Sequence, residues 1–429
     1  MFDSGASITL YQEGPYLVRG EFEIYGQEGE QIPPGRRTVA LCRCGKSRTR
    51  PFCDGTHRLV SFCAPGAAER SAAPARAPSL PRTAPVAAAV AQSAPARTVP
   101  LPEPRGAVSE QLLAALSEPP RSAIEADLRT VSDPLADEDL QLALYLINEL
   151  HYATLEGVDP RWEWAPQLAP LRAALEERFE LALRETVEET SEQEAVAVGE
   201  TLQRLVAQDD GPPLSRFAET QASDEQMLEH VVHRSAYQLK EADPHSFAIP
   251  RLVGGPKAAL VEIQFDEYGE GGAARMHAQM FADTMAALGL DSSYGAYLER
   301  LPGVTLATVN LMSLFGLHRR LRGALVGHLA TFEMTSSIPN RRYGNALRRL
   351  GYGREVTAFY DEHVVADAVH ESIAAWELAD GLARSEPEVA ADIVFGARAL
   401  FELEARWAAQ LLGCWQRGES SLLGSQPAR

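Results

Sequence analysis

Three cysteines and one histidine crowd into sixteen residues near the start of the chain: Cys42-Arg43-Cys44-Gly45-Lys46-Ser47-Arg48-Thr49-Arg50-Pro51-Phe52-Cys53-Asp54-Gly55-Thr56-His57. No other stretch constrains the fold as strongly. The basic residues and glycines around the thiols argue against cysteines packed as small hydrophobes. Three thiolates and an imidazole this close together make a metal site. A segment of this size buries too little apolar surface to fold alone, so it is expected to fold around its metal. Zinc would take three Cys and one His in a closed tetrahedron. A [2Fe–2S] cluster is usually held by four Cys, and replacing Cys with His on one iron raises its potential. Zinc ribbons and knuckles favour ligand pairs two to four residues apart. Here the first pair is Cys-x-Cys, and the next ligand lies nine residues on.

That spacing, with Ser47, Pro51 and the run Cys53-Asp54-Gly55-Thr56-His57, resembles the CDGSH iron–sulfur family, with Thr56 in place of the commoner Ser. The resemblance covers roughly the first 60 residues. It implies a [2Fe–2S] cluster on Cys42, Cys44, Cys53 and His57, and pairing of two copies into a dimer. Residues 16–19, 22–25 and 37–41 read as short strands separated by glycine-containing turns, the last leading into the cluster loop.

The remaining chain is long enough for a second, larger body: 429 residues in all. A net charge of −19, without a basic patch beyond local clusters such as Arg341-Arg342, excludes nucleic acid as a partner. Beyond the three cluster cysteines only Cys63 and Cys414 remain, too few for a disulfide framework, so a reducing cytoplasm is the expected setting. Met1-Phe2-Asp3-Ser4-Gly5 has neither a basic region nor an apolar stretch and does not read as a signal peptide. The longest apolar run, residues 304–317, is too short for a bilayer and contains Asn310, so no membrane span is expected.

A Pro/Ala-rich stretch, about residues 64–105, separates the two bodies. It cannot pack, and its prolines stiffen it into a tether that would let the small module visit the larger one. The division expected is 1–62, a linker over 63–107, and a helical domain over 108–429. Leu142, Tyr145, Leu146, Leu150 and Leu168, Leu171, Leu175, Phe179 recur with helical period. Helical runs follow at about 171–207, 223–241, 256–268, 273–288, 305–334, 355–383 and 386–416. Asp159-Pro160, Gly211-Pro212-Pro213, Asp243-Pro244 and Ile338-Pro339-Asn340 read as breaks.

A second constellation lies in this helical part. His363, Asp367 and His370, at i, i+4 and i+7, project within roughly 60° of one another on one helix face. Phe359, Val364, Ala366, Ala368 and Val369 around them predict a mostly buried helix, where three titratable groups need a metal or a partner. Glu333, in the otherwise apolar Leu329-Ala330-Thr331-Phe332-Glu333-Met334, wants a cation or strong donor. Glu267 and His277 would stand about 80° apart on an ideal helix. The glycines of Tyr268-Gly269-Glu270-Gly271-Gly272 would distort that helix so that both reach one centre, with Glu270 the rival ligand. His230 and His233 read as polar groups bonded within the bundle, His245 as a supporting group, and His151, His318 and His328 as structural or exposed.

In type, order and spacing, Glu267, His277, Glu333, His363, Asp367 and His370 resemble the ligand set of heme-oxygenase-like diiron oxidases and oxygenases, over most of residues 220–415. The resemblance implies a mainly α chain: a heme-oxygenase-like helical bundle behind a small β-rich iron–sulfur domain. It implies two iron ions on those six residues, with manganese or a mixed Fe/Mn pair as the rival occupancy. Two ferrous ions would supply two electrons to O₂, and the N-terminal cluster, charged by an external ferredoxin or flavin reductase, would restore them. The substrate class implied is an amine or amino-acid-derived small molecule undergoing N-oxygenation. Desaturation or C–C cleavage of an acid or amino acid is the alternative. A non-catalytic iron–sulfur sensor or cluster-transfer protein is another, as is an oxidase consuming its own Tyr268 or Tyr360.

Overall fold

The computed structural model describes residues 5–67, 97–124, 128 and 131–424. The first body is a small antiparallel sheet. Strands β1 (Ser7–Leu10), β2 (Tyr16–Arg19) and β5 (Thr38–Leu41) pair in the order β1-β2-β5, while β3 (Ile24–Tyr25) and β4 (Gln31–Ile32) form a separate ribbon. Leu17 stands opposite Ala40 and Val18 opposite Val39, and all four are buried. The cluster loop leaves β5 directly and folds back on it: the Cys42 amide donates to Pro51 O at 2.8 Å, and the Cys53 amide to Ala40 O at 2.7 Å.

Most of the expected tether, residues 68–96, lies outside the described residues. Packed structure resumes before residue 108. β6 (Thr98–Val99) pairs in parallel with β7 (Thr154–Leu155), and Val99 is fully buried.

The second body is helical. Its principal helices are α1 (Ala107–Leu116), α2 (Glu138–Glu149), α3 (Ala169–Thr186), α4 (Val198–Gln208), α5 (Asp224–Gln238), α6 (Gly254–Glu267), α7 (His277–Ala287), α8 (Gly303–Leu317), α9 (Arg322–Arg349), α10 (Arg354–Ser372) and α11 (Ala390–Gln416). Ser223 starts α5 as an N-cap, its side chain accepting from the Gln226 amide. α9 is the spine, packed most extensively on α10 and α11. Its crossing with α11 depends on two glycines: a Cβ at Gly327 would lie 1.8 Å from Ile393 O, and one at Gly396 would lie 2.0 Å from Ala324 O. Among the described residues no helix is long and apolar enough to cross a membrane.

Three expectations about helix limits are corrected. The run at 171–207 is two helices, α3 and α4, joined through a short turn of helix at Glu192–Val196. The run at 305–334 breaks at His318, where a 3₁₀ turn, Arg319–Leu321, separates α8 from α9. The expected stop at Ile338-Pro339-Asn340 is absent, because α9 runs through Pro339. An interior proline costs about 3 kcal/mol, and α9's burial against α10 and α11 outweighs it.

The β module sits on the bundle. Arg19 pairs with Glu262 at 2.7 Å and Glu377 at 2.9 Å, and Tyr11 also bonds Glu377. Arg36 pairs with Asp266 at 2.9 Å and with Glu362. Arg341 donates to Asp54 Oδ2 at 3.0 Å and to Thr56 Oγ1 at 3.1 Å, both inside the cluster loop. The module therefore need not travel to reach the bundle.

Candidate metal centres

Five segments deliver carboxylates and imidazoles to one buried point in the bundle. α6 ends at Glu267, and two 3₁₀ turns, Gly269–Gly271 and Ala273–Arg275, reverse the chain so that His277 opens α7. The expected distorted helix across 267–277 is thus a clean break. Gly269, at φ 66°, makes the reversal possible: a Cβ there would lie 2.6 Å from Arg275 C and Met276 N. α9 contributes Glu333, and α10 contributes His363, Asp367 and His370.

The donor atoms form two groups, each within 4.8 Å: Glu241, Glu267, His277 and His363 in one, and Glu267, Glu333 and His370 in the other. Glu267 belongs to both, with one oxygen towards each group. Oε2 is 2.8 Å from His277 Nδ1 and Oε1 is 3.2 Å from His370 Nδ1. His370 Nδ1 is also 3.2 Å from Glu333 Oε2, and His363 Nε2 is 3.4 Å from Glu241 Oε1. Asp367 falls outside both groups, although it lines the same small pocket as Glu241, Glu267, Glu333 and His363. The other ring nitrogens of two histidines are anchored: His363 Nδ1 to Phe359 O at 2.8 Å, and His370 Nε2 to Asp266 Oδ2 at 2.9 Å. Such anchoring fixes the ring and leaves the opposite nitrogen for a metal. Glu270, the rival ligand, turns away: it accepts from the Arg37 amide at 3.1 Å and from Arg275 at 3.2 Å. The Tyr268 hydroxyl is held by Asp243 and Ser246.

The electrostatics match a site built for cations. Burial, with Glu333 and Glu267 nearby, pushes the Asp367 carboxyl well above its ordinary range despite His363. Burial also raises Glu333, against the pull of His370. Burial opposes the charge on His363 and His370, but the surrounding carboxylates, Glu241 first for His363 and Glu333 first for His370, hold both well above an ordinary imidazole. His277 Nδ1, His363 Nε2, Glu241 Oε2 and Asp367 Oδ2 are buried without an aligned hydrogen bond. Orphaned donors converging on one point are expected where metal ions complete the set. Four carboxylates and three imidazoles suit two iron or manganese ions.

In the β module Cys42 Sγ and Cys44 Sγ lie 3.8 Å apart. Cys53 and His57 are buried further down the loop. Cys42 and Cys44 thus present their thiols as a pair, as two ligands of one metal ion would be. Burial, followed by nearby Glu371, pushes the Cys53 thiol up, so a thiolate there needs the cluster's positive charge.

The two centres meet at α10. His57 Nε2 lies 2.8 Å from Glu371 Oε1, and Arg58 Nε donates to Glu371 Oε2 at 2.8 Å. The His57 contact is not aligned as a straight hydrogen bond. Glu371 is held anionic: burial raises it, but Arg58 and His57 lower it by more. It is the residue after His370. A second link runs from Arg36 to Asp266, whose same oxygen holds His370.

Sequence reasoning missed Glu241, Asp266 and Glu371. Glu241 had a signal: His230, His233, Arg234, Tyr237, Lys240 and Glu241 form a polar ladder at helical spacing through an otherwise apolar segment. Its position is set by Lys240, fully buried in an ion pair with Glu149, and by Ala242 at φ 73°, whose carbonyl accepts from Gln264 at 3.0 Å. Glu371 and Asp266 act across the domain contact, which the sequence does not reveal.

Two segments of the chain match known families. Residues 228–405 match the family described as iron-containing redox enzymes, and residues 13–58 match the family described as iron-binding zinc fingers of CDGSH type. No curated protein matches the chain. Among solved structures, a CADD-like protein of unknown function from Nostoc punctiforme is similar at 19% identity and a TM-score of 0.41, over 52% of this chain and 98% of that one.

Proposed function

We propose that this chain, an iron redox protein joining a CDGSH-type iron-binding domain to a heme-oxygenase-like iron-containing redox enzyme domain, is a self-contained O₂-dependent diiron oxygenase. In this reading the N-terminal [2Fe–2S] module takes electrons from an external ferredoxin or flavin reductase and delivers them to the bundle. The substrate is an amine or amino-acid-derived metabolite, and the reaction is N-oxygenation. One observation carries the reading: His57, a cluster ligand, touches Glu371, the neighbour of His370 in the helical donor set.

Glu241, Glu267, Glu333, Asp367, His277, His363 and His370 would hold the two irons, which when ferrous supply two electrons to O₂. Glu267 would serve both ions, the Phe359 carbonyl and Asp266 orient the imidazoles, and the near-complete burial of the donors excludes bulk water. A [2Fe–2S] cluster on Cys42, Cys44, Cys53 and His57 would supply one electron per reduction, so two irons would need two reductions. The module's ion pairs hold His57 against Glu371 throughout, so the transfer is intramolecular.

The test is anaerobic. Protein with an oxidised bundle site receives electrons from a limiting one-electron donor, and cluster absorbance is followed by stopped flow. The expected result is cluster reoxidation in a first-order phase independent of protein concentration, with ferrous iron appearing in the bundle. A phase that scales with concentration, or a cluster that stays reduced beside ferric iron, overturns the reading.

A further inference from the structure

The cluster loop meets the bundle with part of its charge and turns the rest to solvent. Against the bundle, His57 and Arg58 meet Glu371, and Asp54 takes Arg341. Lys46, Arg48 and Arg50 are exposed instead, and among the described residues none of the three pairs with a carboxylate. Asp54 is the one acidic residue in the run from Cys42 to His57. It is too heavily used to neutralise them: its side chain is 1% exposed and also accepts from the Arg48 and Thr56 amides, each at 3.1 Å. In a chain of net charge −19, three unpaired cations within residues 46–50 form a local patch of opposite sign.

These cations border the accessible edge of the cluster site. Cys42 and Cys44 are partly exposed, whereas Cys53 and His57 are only 2% and 5% exposed, with His57 against Glu371 of α10. Lys46 stands two residues after Cys44, and Arg50 Nη1 reaches back to Gly45 O at 3.4 Å. The loop holds the patch in place: Ser47, 2% exposed, donates to Phe52 O at 2.7 Å and accepts from the Thr49 amide at 3.0 Å. Such pre-organisation lowers the entropy lost when a partner docks. The larger cavities of the described structure are lined by other residues. A small nucleotide, which needs enclosure, therefore fits here less well than the face of a protein.

We propose that Lys46, Arg48 and Arg50 form the docking face for an acidic one-electron carrier protein of the ferredoxin type, brought up against the Cys42–Cys44 edge. Opposite charges speed such an encounter by roughly 10- to 1,000-fold at low salt. A small, charged and weakly held contact then lets the spent carrier leave. One electron passes: the carrier loses it, the cluster gains it, and no covalent bond forms or breaks. Entry at the cysteine pair and exit at His57 use different parts of the loop, so the carrier and the bundle do not compete for one surface. The assignment rests on the reading of the module as the electron port.

Binding is measured by calorimetry on the metal-loaded full chain, with an acidic plant-type [2Fe–2S] ferredoxin as probe and both proteins oxidised, so no electron moves. Affinity should fall about tenfold between ~0.01 M salt, where the Debye length is ~30 Å, and ~0.15 M, where it is ~8 Å. The triple variant Lys46→Glu, Arg48→Glu, Arg50→Glu should weaken binding at low salt by about tenfold, while Arg216→Glu, at an exposed cation on the bundle, should change it less than about twofold. If the reversal disturbs the cluster's visible spectrum, the three Gln counterparts, which remove charge without reversing it, should weaken binding about threefold. No binding at low salt, salt-independent binding, unchanged affinity in the patch variants, an equal loss in Arg216→Glu, or displacement of the ferredoxin by free flavin mononucleotide would each overturn the assignment. None of these readouts depends on transfer from cluster to bundle, so failure here and failure of the electron-transfer reading, which the stopped-flow experiment reports, are distinguishable.

Discussion

Glu241 and Glu371 carry the most information residue by residue, because each follows or precedes a group whose role differs from its own. Glu241 brings a fourth carboxylate to the bundle, 3.4 Å from His363. Glu241→Ala should lower non-sulfide iron per chain while leaving the cluster's visible spectrum unchanged; full iron occupancy in this variant would remove Glu241 from the donor set. Glu371→Gln keeps the shape but removes a buried negative charge beside His57. The cluster potential should rise, and the intramolecular electron phase should slow by tenfold or more. A variant with unchanged potential and rate would show that the contact is only structural. The types and spacing of Glu267, His277, Glu333, His363 and His370 were legible because a buried carboxylate or imidazole stands out against apolar neighbours. Glu371 was not, since its partner His57 lies 314 positions earlier and only the docked fold makes them neighbours.

Among the elements, α5 shows how a polar ladder can be structural in one rung and functional in the next. His233 bonds Thr305 at 2.7 Å and Ser421 at 3.0 Å, tying α5 to α8 and to the chain after α11. Burial, with Arg234 and Arg300 nearby, pushes its imidazole down to about 3. The folded protein therefore resists a proton that the unfolded chain accepts below about 6.5. Stability is full above that value and falls as pH drops towards 3, by about 1.4 kcal/mol per pH unit from this residue. Chemical denaturation at pH 5.5 and 4.5 should show a slope of at least that size, because buried His230, His245 and His328 are shifted the same way, and His233→Gln should reduce it by about one proton; an unchanged slope would contradict the assignment. Helix positions were readable from periodicity, but their ends were less so. Pro339 reads locally as a stop, yet the α9–α11 crossing at Gly327 and Gly396 holds the helix together. The 267–277 segment reads as a distorted helix, yet Gly269 reverses the chain there.

Across the whole molecule, the composition separated a metal-nucleated module from a helical body, but a Pro/Ala stretch says nothing of where the module rests. The structure seats it with its cluster loop against α9 and α10. Asp54 and Glu371, the acidic partners of Arg341 and Arg58, are only 1% and 3% exposed, so salt screens them weakly. At about 1 M salt, where the Debye length is ~3 Å, the electron phase should stay first order and independent of protein concentration. Second-order behaviour at high salt would show that the module detaches.

In the proposed function one chain holds a sulfide-bridged cluster and a separate sulfide-free iron pair. Mössbauer spectroscopy of ⁵⁷Fe-loaded full-length protein, with acid-labile sulfide measured on the same sample, tests it directly. About two irons are expected in a [2Fe–2S] signature and about two in a second, high-spin, oxygen- and nitrogen-ligated signature, the second disappearing in a Glu333→Ala, His363→Ala variant while the first persists. A single iron–sulfur signature with no further iron bound, or a second population unaffected by those substitutions, would contradict it.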